Sequence, residues 1–144
     1  MKKLKITLLT LLPFIFLFSS CSKDDEAVPS NILTSKTWKR GMVDKNPSSS
    51  PSGSVLYYPV QECEKDDTFR FGSDSKLTVN QGASKCDKNE PASKTVTYSY
   101  DEKANTLTID GINYSVAEMS KSQIKYYIPF ASSTGYANYI FLLE

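Results

Sequence analysis

The chain has 144 residues, a net charge of +1 and no histidine. Its length fits one domain, and its near-neutral charge excludes the strongly basic surface typical of nucleic-acid-binding proteins. The lack of histidine removes the usual base of serine and cysteine hydrolases and a common zinc ligand. We therefore expect no nucleic-acid partner, no cofactor and no enzyme activity.

Residues 1–20 have the pattern of an export signal. Three early lysines precede an apolar run at 6–18, which is shorter than the roughly 18 to 20 residues that span a bilayer. The sequence Ser19-Ser20-Cys21 resembles the lipobox of bacterial lipoproteins, whose cysteine is acylated, with palmitate for example, and becomes the N-terminus. The resemblance predicts removal of residues 1–20 and a membrane anchor on Cys21. The alternative is an ordinary secretory signal with an incidental cysteine.

Residues 21–30 are expected to be the lipidated cysteine and a flexible tether, because they show no apolar periodicity. Lys23, Asp24, Asp25 and Glu26 resemble the export tag of surface lipoproteins in the Bacteroidota. This resemblance implies a protein anchored in the outer membrane and displayed on the cell surface. The alternative is a solvated charge run in a linker.

Residues 31–144 are expected to form one all-β domain, because strand-like runs alternate with turn signals. A helical turn at 31–35 precedes the first strand. A loop rich in Pro and Ser follows at 44–54, and loops of this length are often lids or disordered segments. The mature chain, with 14 basic and 16 acidic residues, would carry a charge of −2.

Two tight hairpins are predicted. Asp110-Gly111 lies between alternating apolar residues, which is typical of a type I′ turn. A second turn at 72–75 is preceded by Phe69 and Phe71 and is followed by another alternating run. Strands are predicted near residues 37–43, 54–60, 67–71, 76–80, 94–100, 106–110, 111–118, 122–129 and 137–143.

Short connections favour antiparallel neighbours. The predicted fold is therefore an all-β, eight- to nine-stranded antiparallel up-and-down barrel with one disulfide, and a sandwich is the alternative. In such a barrel the last run, 139–143, would close the sheet against the first strand. Eight strands commonly leave room for one ligand.

Cys63 and Cys86 lie at nearly equal distances from the turn at 72–75, so an antiparallel pair places them almost opposite each other. Two cysteines of an exported chain are expected to be paired. The competing interpretation is a metal site, which would favour histidine or further cysteines. Cross-linking a loop of this size stabilises a fold by about 3 kcal/mol.

The segment around these cysteines carries a family pattern: Cys63, a Lys65-Asp66-Asp67 step, an aromatic strand at 68–71 and then Cys86 shortly after a glycine. This pattern resembles the lipocalin-like domain of Bacteroidota lipoproteins. Trp38 is similar to the opening tryptophan of that family. The chain departs from the pattern at Lys36, where lipocalins have glycine, and in a strand after the second cysteine that carries tyrosines instead of tryptophan.

Glu64, Asp66 and Asp67 place three carboxylates close together. Carboxylates are good calcium ligands, but the spaced loop of an EF-hand is missing. The alternatives are capping of the strand entry and pairing with a lysine. Without that loop we expect no metal at this cluster. We also expect no catalytic residue, because no glycosidase signature accompanies the carboxylates.

The resemblance implies a domain that binds a small apolar ligand. An apolar void opening beneath the 44–54 loop would favour a ligand, whereas a filled interior with an exposed tyrosine patch would favour a protein partner. The candidate pocket residues are aromatic: Trp38, Tyr98, Tyr100, Tyr114 and Tyr126. The full interior set adds Val96, Ile112, Val116, Ile124 and Ile128. A filled barrel has the same alternation, and Trp38 could instead close one end of the core. The other functional hypothesis is a protein-interaction module, either a subunit of an outer-membrane complex or an enzyme inhibitor, with contact loops at 44–54 and 129–136.

Overall fold

A computed structural model describes residues 29–133 and 135–144 of the chain. The expected signal peptide, the lipidation site Cys21 and the tag at residues 23–26 lie outside these ranges. Within them, no helix has the length and apolar character needed to cross a membrane.

The described residues form a sheet of nine strands, preceded by the short helix α1 (Pro29–Thr34). The strands are β1 (Trp38–Lys39), β2 (Ser54–Tyr57), β3 (Thr68–Phe71), β4 (Lys76–Asn80), β5 (Ser93–Asp101), β6 (Thr106–Ile109), β7 (Ile112–Met119), β8 (Ile124–Ser132) and β9 (Gly135–Leu143). The predicted helical turn and all-β class are confirmed. The expected contact loop at 129–136 is in part strand, because residues 129–132 belong to β8 and residues 135–136 belong to β9.

The sheet curls into a half-barrel with the order β1-β3-β4-β5-β6-β7-β8-β9-β2. Reciprocal backbone hydrogen bonds of 2.9 Å between Lys39 and Glu144 join β1 to the end of β9. The last run therefore meets the first strand, as the sequence predicts. The predicted all-antiparallel order is wrong at β2, which pairs with β9 in parallel. Parallel neighbours need a long connection, and here β3 to β8 lie between β2 and β9 in the chain. Residues 42–53, hereafter the outer loop, lie between β1 and β2.

Both predicted hairpins are confirmed. Asp110 and Gly111 have φ values of 51° and 80°, the two positive values that a type I′ turn requires. In the other hairpin, Phe71 lies opposite Leu77, and both side chains are buried. Ile112, expected inside, is 48% exposed because it adjoins the turn at the tip of its hairpin.

The disulfide between Cys63 and Cys86 is present, with 5.1 Å between the Cα atoms. The neighbouring acids bind backbone amides of the loop after β4. Asp66 accepts from the amide of Ala83 at 2.7 Å, and Asp67 accepts from that of Gly82 at 3.1 Å. A Cβ at position 82 would lie 1.9 Å from the Asp66 carboxyl carbon, so this close approach requires glycine.

One end of the half-barrel is filled by a packed core. Trp38 is fully buried and donates its indole N–H to the Leu33 carbonyl oxygen at 2.9 Å, so α1 closes this end. Leu107 and Ile124 are also fully buried in the same cluster. Because the core and the disulfide lie within the described residues, we expect residues 29–144 to fold as a unit.

Candidate functional site

A cavity of about 210 Å³ lies on the inner face of the curled sheet. Its wall is mostly apolar and comes from β3 to β9, together with residue 40 just after β1. The lining residues are Arg40, Phe69, Phe71, Leu77, Val79, Lys94, Val96, Ile109, Asp110, Tyr114, Tyr126, Phe141 and Leu143. An apolar concave surface with few polar groups is the usual form of a small-molecule site.

Three aromatic rings form one wall of the cavity. Tyr126 stacks on Phe141 with a centroid distance of 5.2 Å, and Tyr114 packs edge-on against Tyr126 at 5.2 Å. Both geometries are favourable for aromatic pairs. Burial raises the pKa of Tyr126, and the nearby Arg40 acts in the opposite direction. The Tyr126 hydroxyl is therefore protonated at neutral pH and able to donate a hydrogen bond.

Arg40 is the polar group among the apolar side chains. Its guanidinium carbon lies 4.5 Å from the ring centroid of Phe69 and 5.0 Å from that of Tyr58. One N–H points to the Tyr126 hydroxyl at 3.5 Å, which is long for a hydrogen bond. The Nε atom is buried without a partner among the described residues.

The other two charged groups of the cavity, Lys94 and Asp110, pair with each other at 3.7 Å. Both side chains are largely exposed, so this pair lies at the rim and contributes little to stability.

The structure separates the predicted pocket residues into two groups. Tyr114 and Tyr126 line the cavity, whereas Trp38, Tyr98 and Tyr100 do not. Trp38 belongs to the filled end, and the hydroxyl of Tyr98 is bound to the Gly72 carbonyl oxygen at 2.8 Å. The hydroxyl of Tyr100 donates to Asn105 outside the cavity.

The outer loop lies on the opposite face of the sheet and does not cover the cavity. Its anchor is Lys125, whose ammonium group is fully buried. It bonds Asp44 at 2.8 Å, the Asn46 carbonyl oxygen at 2.6 Å, Ser49 at 2.9 Å and Ser50 at 3.2 Å. The cavity does not open beneath this loop, because Lys125 alternates along β8 with cavity-facing Tyr126 and so points to the other face.

A second buried residue reinforces the anchor. The side chain of Gln123 donates to the Val43 carbonyl oxygen at 2.9 Å and accepts from the Lys45 amide at 3.0 Å. Burial alone would raise the pKa of Asp44, but hydrogen bonds from Lys125 and Tyr57 outweigh it and lower that pKa below 3.8. Asp44 is therefore ionised at neutral pH and compensates the buried charge of Lys125.

Sequence reasoning missed both Arg40 and Lys125. A signal for Arg40 was available, because it lies two residues after Trp38 and shares its face in an extended chain. Lys125 has no such local signal. It occupies an outward position of an alternating strand, where a lysine is normally solvated.

Comparisons of the chain with protein-family models, with curated proteins and with solved structures find no match.

Proposed function

We propose that this chain is a non-enzymatic lipoprotein, anchored in the outer membrane and displayed on the cell surface, whose lipocalin-like domain binds a small apolar molecule. The observation that supports binding is the cavity on the inner face, with its apolar wall and its few polar groups. The lipid anchor rests on the lipobox-like segment before Cys21, and surface display rests on the charged tag that follows it.

The volume of the cavity limits the size of the ligand. Pockets for drug-sized molecules are about 300 to 1,000 Å³, whereas an apolar cavity of about 150 Å³ is known to bind benzene. At about 210 Å³ the cavity fits one aromatic ring with a short substituent, or a short branched chain. The packed rings of Tyr114, Tyr126 and Phe141 hold this wall in place, which reduces the entropy lost on binding.

Binding is tested by titrating p-cresol into isotope-labelled domain, residues 29–144, and following backbone amide signals by NMR. We expect the signals of Tyr114, Tyr126 and Phe141 to shift in a saturable way while those of the outer loop stay in place. Shifts confined to the outer loop, or none at all, would contradict the assignment of the cavity as the binding site.

A matched pair of variants on β5 sharpens this test. Val96 lines the cavity and its neighbour Thr97 is exposed on the other face. Val96→Phe should fill the cavity and abolish p-cresol binding, whereas Thr97→Phe should leave the affinity unchanged. Equal effects of the two substitutions would place the bound probe elsewhere.

The anchor has a separate test in cells. Cys21→Ala should release the protein from membranes, since two or more acyl chains are needed for stable attachment. Replacing the four charged residues at 23–26 with alanine should preserve lipidation and reduce cleavage by external protease. Membrane retention of Cys21→Ala would refute lipidation. Unchanged cleavage of the alanine variant by external protease would show that residues 23–26 act only as a tether.

A second candidate function, protein interaction, is favoured by one surface. Met42, Val43, Leu56 and Tyr57 are large apolar residues that are 41 to 68% exposed, and two of them lie on the terminal strand β2. An exposed strand edge with apolar side chains can receive a strand from a partner. Leu56→Lys should abolish such an association in cross-linking experiments on intact cells, and an unchanged cross-linking pattern would exclude this surface.

A further inference from the structure

The cavity contains a cation that has no acid partner among the described residues. The four ion pairs among the described residues all involve lysines, and none includes Arg40. The acids around it are engaged elsewhere: Asp110 pairs with Lys94, and Glu64 accepts the hydroxyl of Tyr58 at 2.7 Å. The positive charge of Arg40 is therefore not balanced by a side chain in direct contact.

The unused hydrogen-bonding capacity of Arg40 is large. A guanidinium has five N–H donors. Among residues 29–133 and 135–144, Arg40 has one long hydrogen-bond contact, to Tyr126, and its buried Nε has no partner. The Phe69 and Tyr58 rings stabilise the cation through their π systems but accept no conventional in-plane hydrogen bond. A planar anion placed at the edge of the guanidinium would satisfy these donors.

The geometry points to a small monocarboxylate as the ligand, with its carboxylate on Arg40 and Tyr126 and one apolar ring or short branched chain in the cavity. This inference rests on the proposed binding function. A carboxylate matches the guanidinium fork in a bidentate pair, and the Tyr126 hydroxyl adds a third donor. The apolar wall around Tyr114 and Phe141 covers the rest of the molecule.

Lys94 does not offer an equivalent position. Its side chain is 69% exposed and already faces Asp110, so an anion there would meet a carboxylate and remain in water. Arg40 is thus the group that would distinguish a carboxylate from a neutral molecule of the same shape.

The test compares phenylacetate with its neutral counterpart phenylacetamide by calorimetric titration of the domain at neutral pH. We expect phenylacetate to bind at least about tenfold more tightly, as hydrogen bonds between charged groups predict. This comparison uses the unmodified domain, so it does not depend on the folding of a variant.

Two matched substitutions identify the residue responsible. Arg40→Met should reduce the ratio of the two affinities to about one. Arg70→Met, the same change on the exposed face of β3, should leave the ratio as it is. A preference that survives Arg40→Met would overturn the assignment of the carboxylate to Arg40.

The outcomes separate the two proposals. Binding of both probes with equal affinity would overturn the carboxylate inference and leave the apolar binding function intact. Failure of both probes to bind would contradict the binding function together with the inference.

Discussion

Two cations lie on opposite faces of the same sheet, and their surroundings differ. On the outer face the fully buried ammonium group of Lys125 has four oxygen partners, one of them the carboxylate of Asp44. On the inner face Arg40 has, within the described part of the chain, one long hydrogen-bond contact to a tyrosine and an unpaired Nε. An ammonium group has three donors, so Lys125 has no capacity left, whereas Arg40 has several donors available.

This difference indicates which region is structural and which is functional. A buried charge with a complete set of partners holds the fold in one arrangement. An incompletely bonded charge costs free energy unless a further group compensates it. The outer loop is therefore a fixed part of the domain. The inner cavity is the place where a bound molecule would supply the hydrogen-bond acceptors that Arg40 lacks.

The largest expected effect is on the outer face. Lys125→Met keeps the aliphatic stem but leaves Asp44, whose side chain is only 7% exposed, without its cation. Breaking a buried ion pair in this way typically costs about 3 to 5 kcal/mol. We expect a loss of this size in the free energy of unfolding, measured by urea denaturation. Adding Asp44→Asn should recover part of it, and a loss below about 1 kcal/mol would show that the pair does not hold the loop.

An intermediate effect should follow from acidification. The pKa of Asp44 is lowered in the folded state, so its ionised form contributes stability that is complete above the unfolded pKa, near 3.8. That contribution is lost as the pH falls through the lower folded value. The difference in unfolding free energy between the unmodified domain and Asp44→Asn should therefore shrink below about pH 4. A difference that stays constant from pH 7 to pH 2 would contradict this role.

The smallest expected effect is on the inner face. Arg40→Met removes a partly buried cation that has no acid partner in the described structure, and methionine can pack on the same rings. Replacing buried charge by apolar volume is often neutral or stabilising, so we expect a change within about 1 kcal/mol in the same urea experiment. A loss as large as that of Lys125→Met would make Arg40 a structural residue and remove the contrast between the two faces.

Local patterns in the sequence predicted several parts of this structure. Asp110-Gly111 determined a turn because few residues other than glycine, asparagine and aspartate accept positive φ values. The disulfide followed from the positions of Cys63 and Cys86 around one hairpin, since antiparallel pairing brings residues at equal distances from a turn together. Tyr114 and Tyr126 were assigned to the interior by alternation alone.

Other features could not be read from local patterns. The lining of the cavity was only partly predicted, because alternation gives the face of a residue but not whether the space beside it is filled, as at Trp38. The parallel placement of β2 depends on the route of the outer loop across the sheet. That route depends in turn on Lys125, whose partners are distant in the chain.

The sequence by itself determined the class of fold, the hairpins and the disulfide, because these follow from backbone preferences and from a period of two along each strand. The tertiary structure alone decided whether each of the two cations, Lys125 and Arg40, has an acid partner. Lys125 meets Asp44 only when the outer loop crosses the sheet, and no acid pairs with Arg40 among the described residues. Long-range packing of this kind fixes which charges are compensated, and no local pattern encodes it.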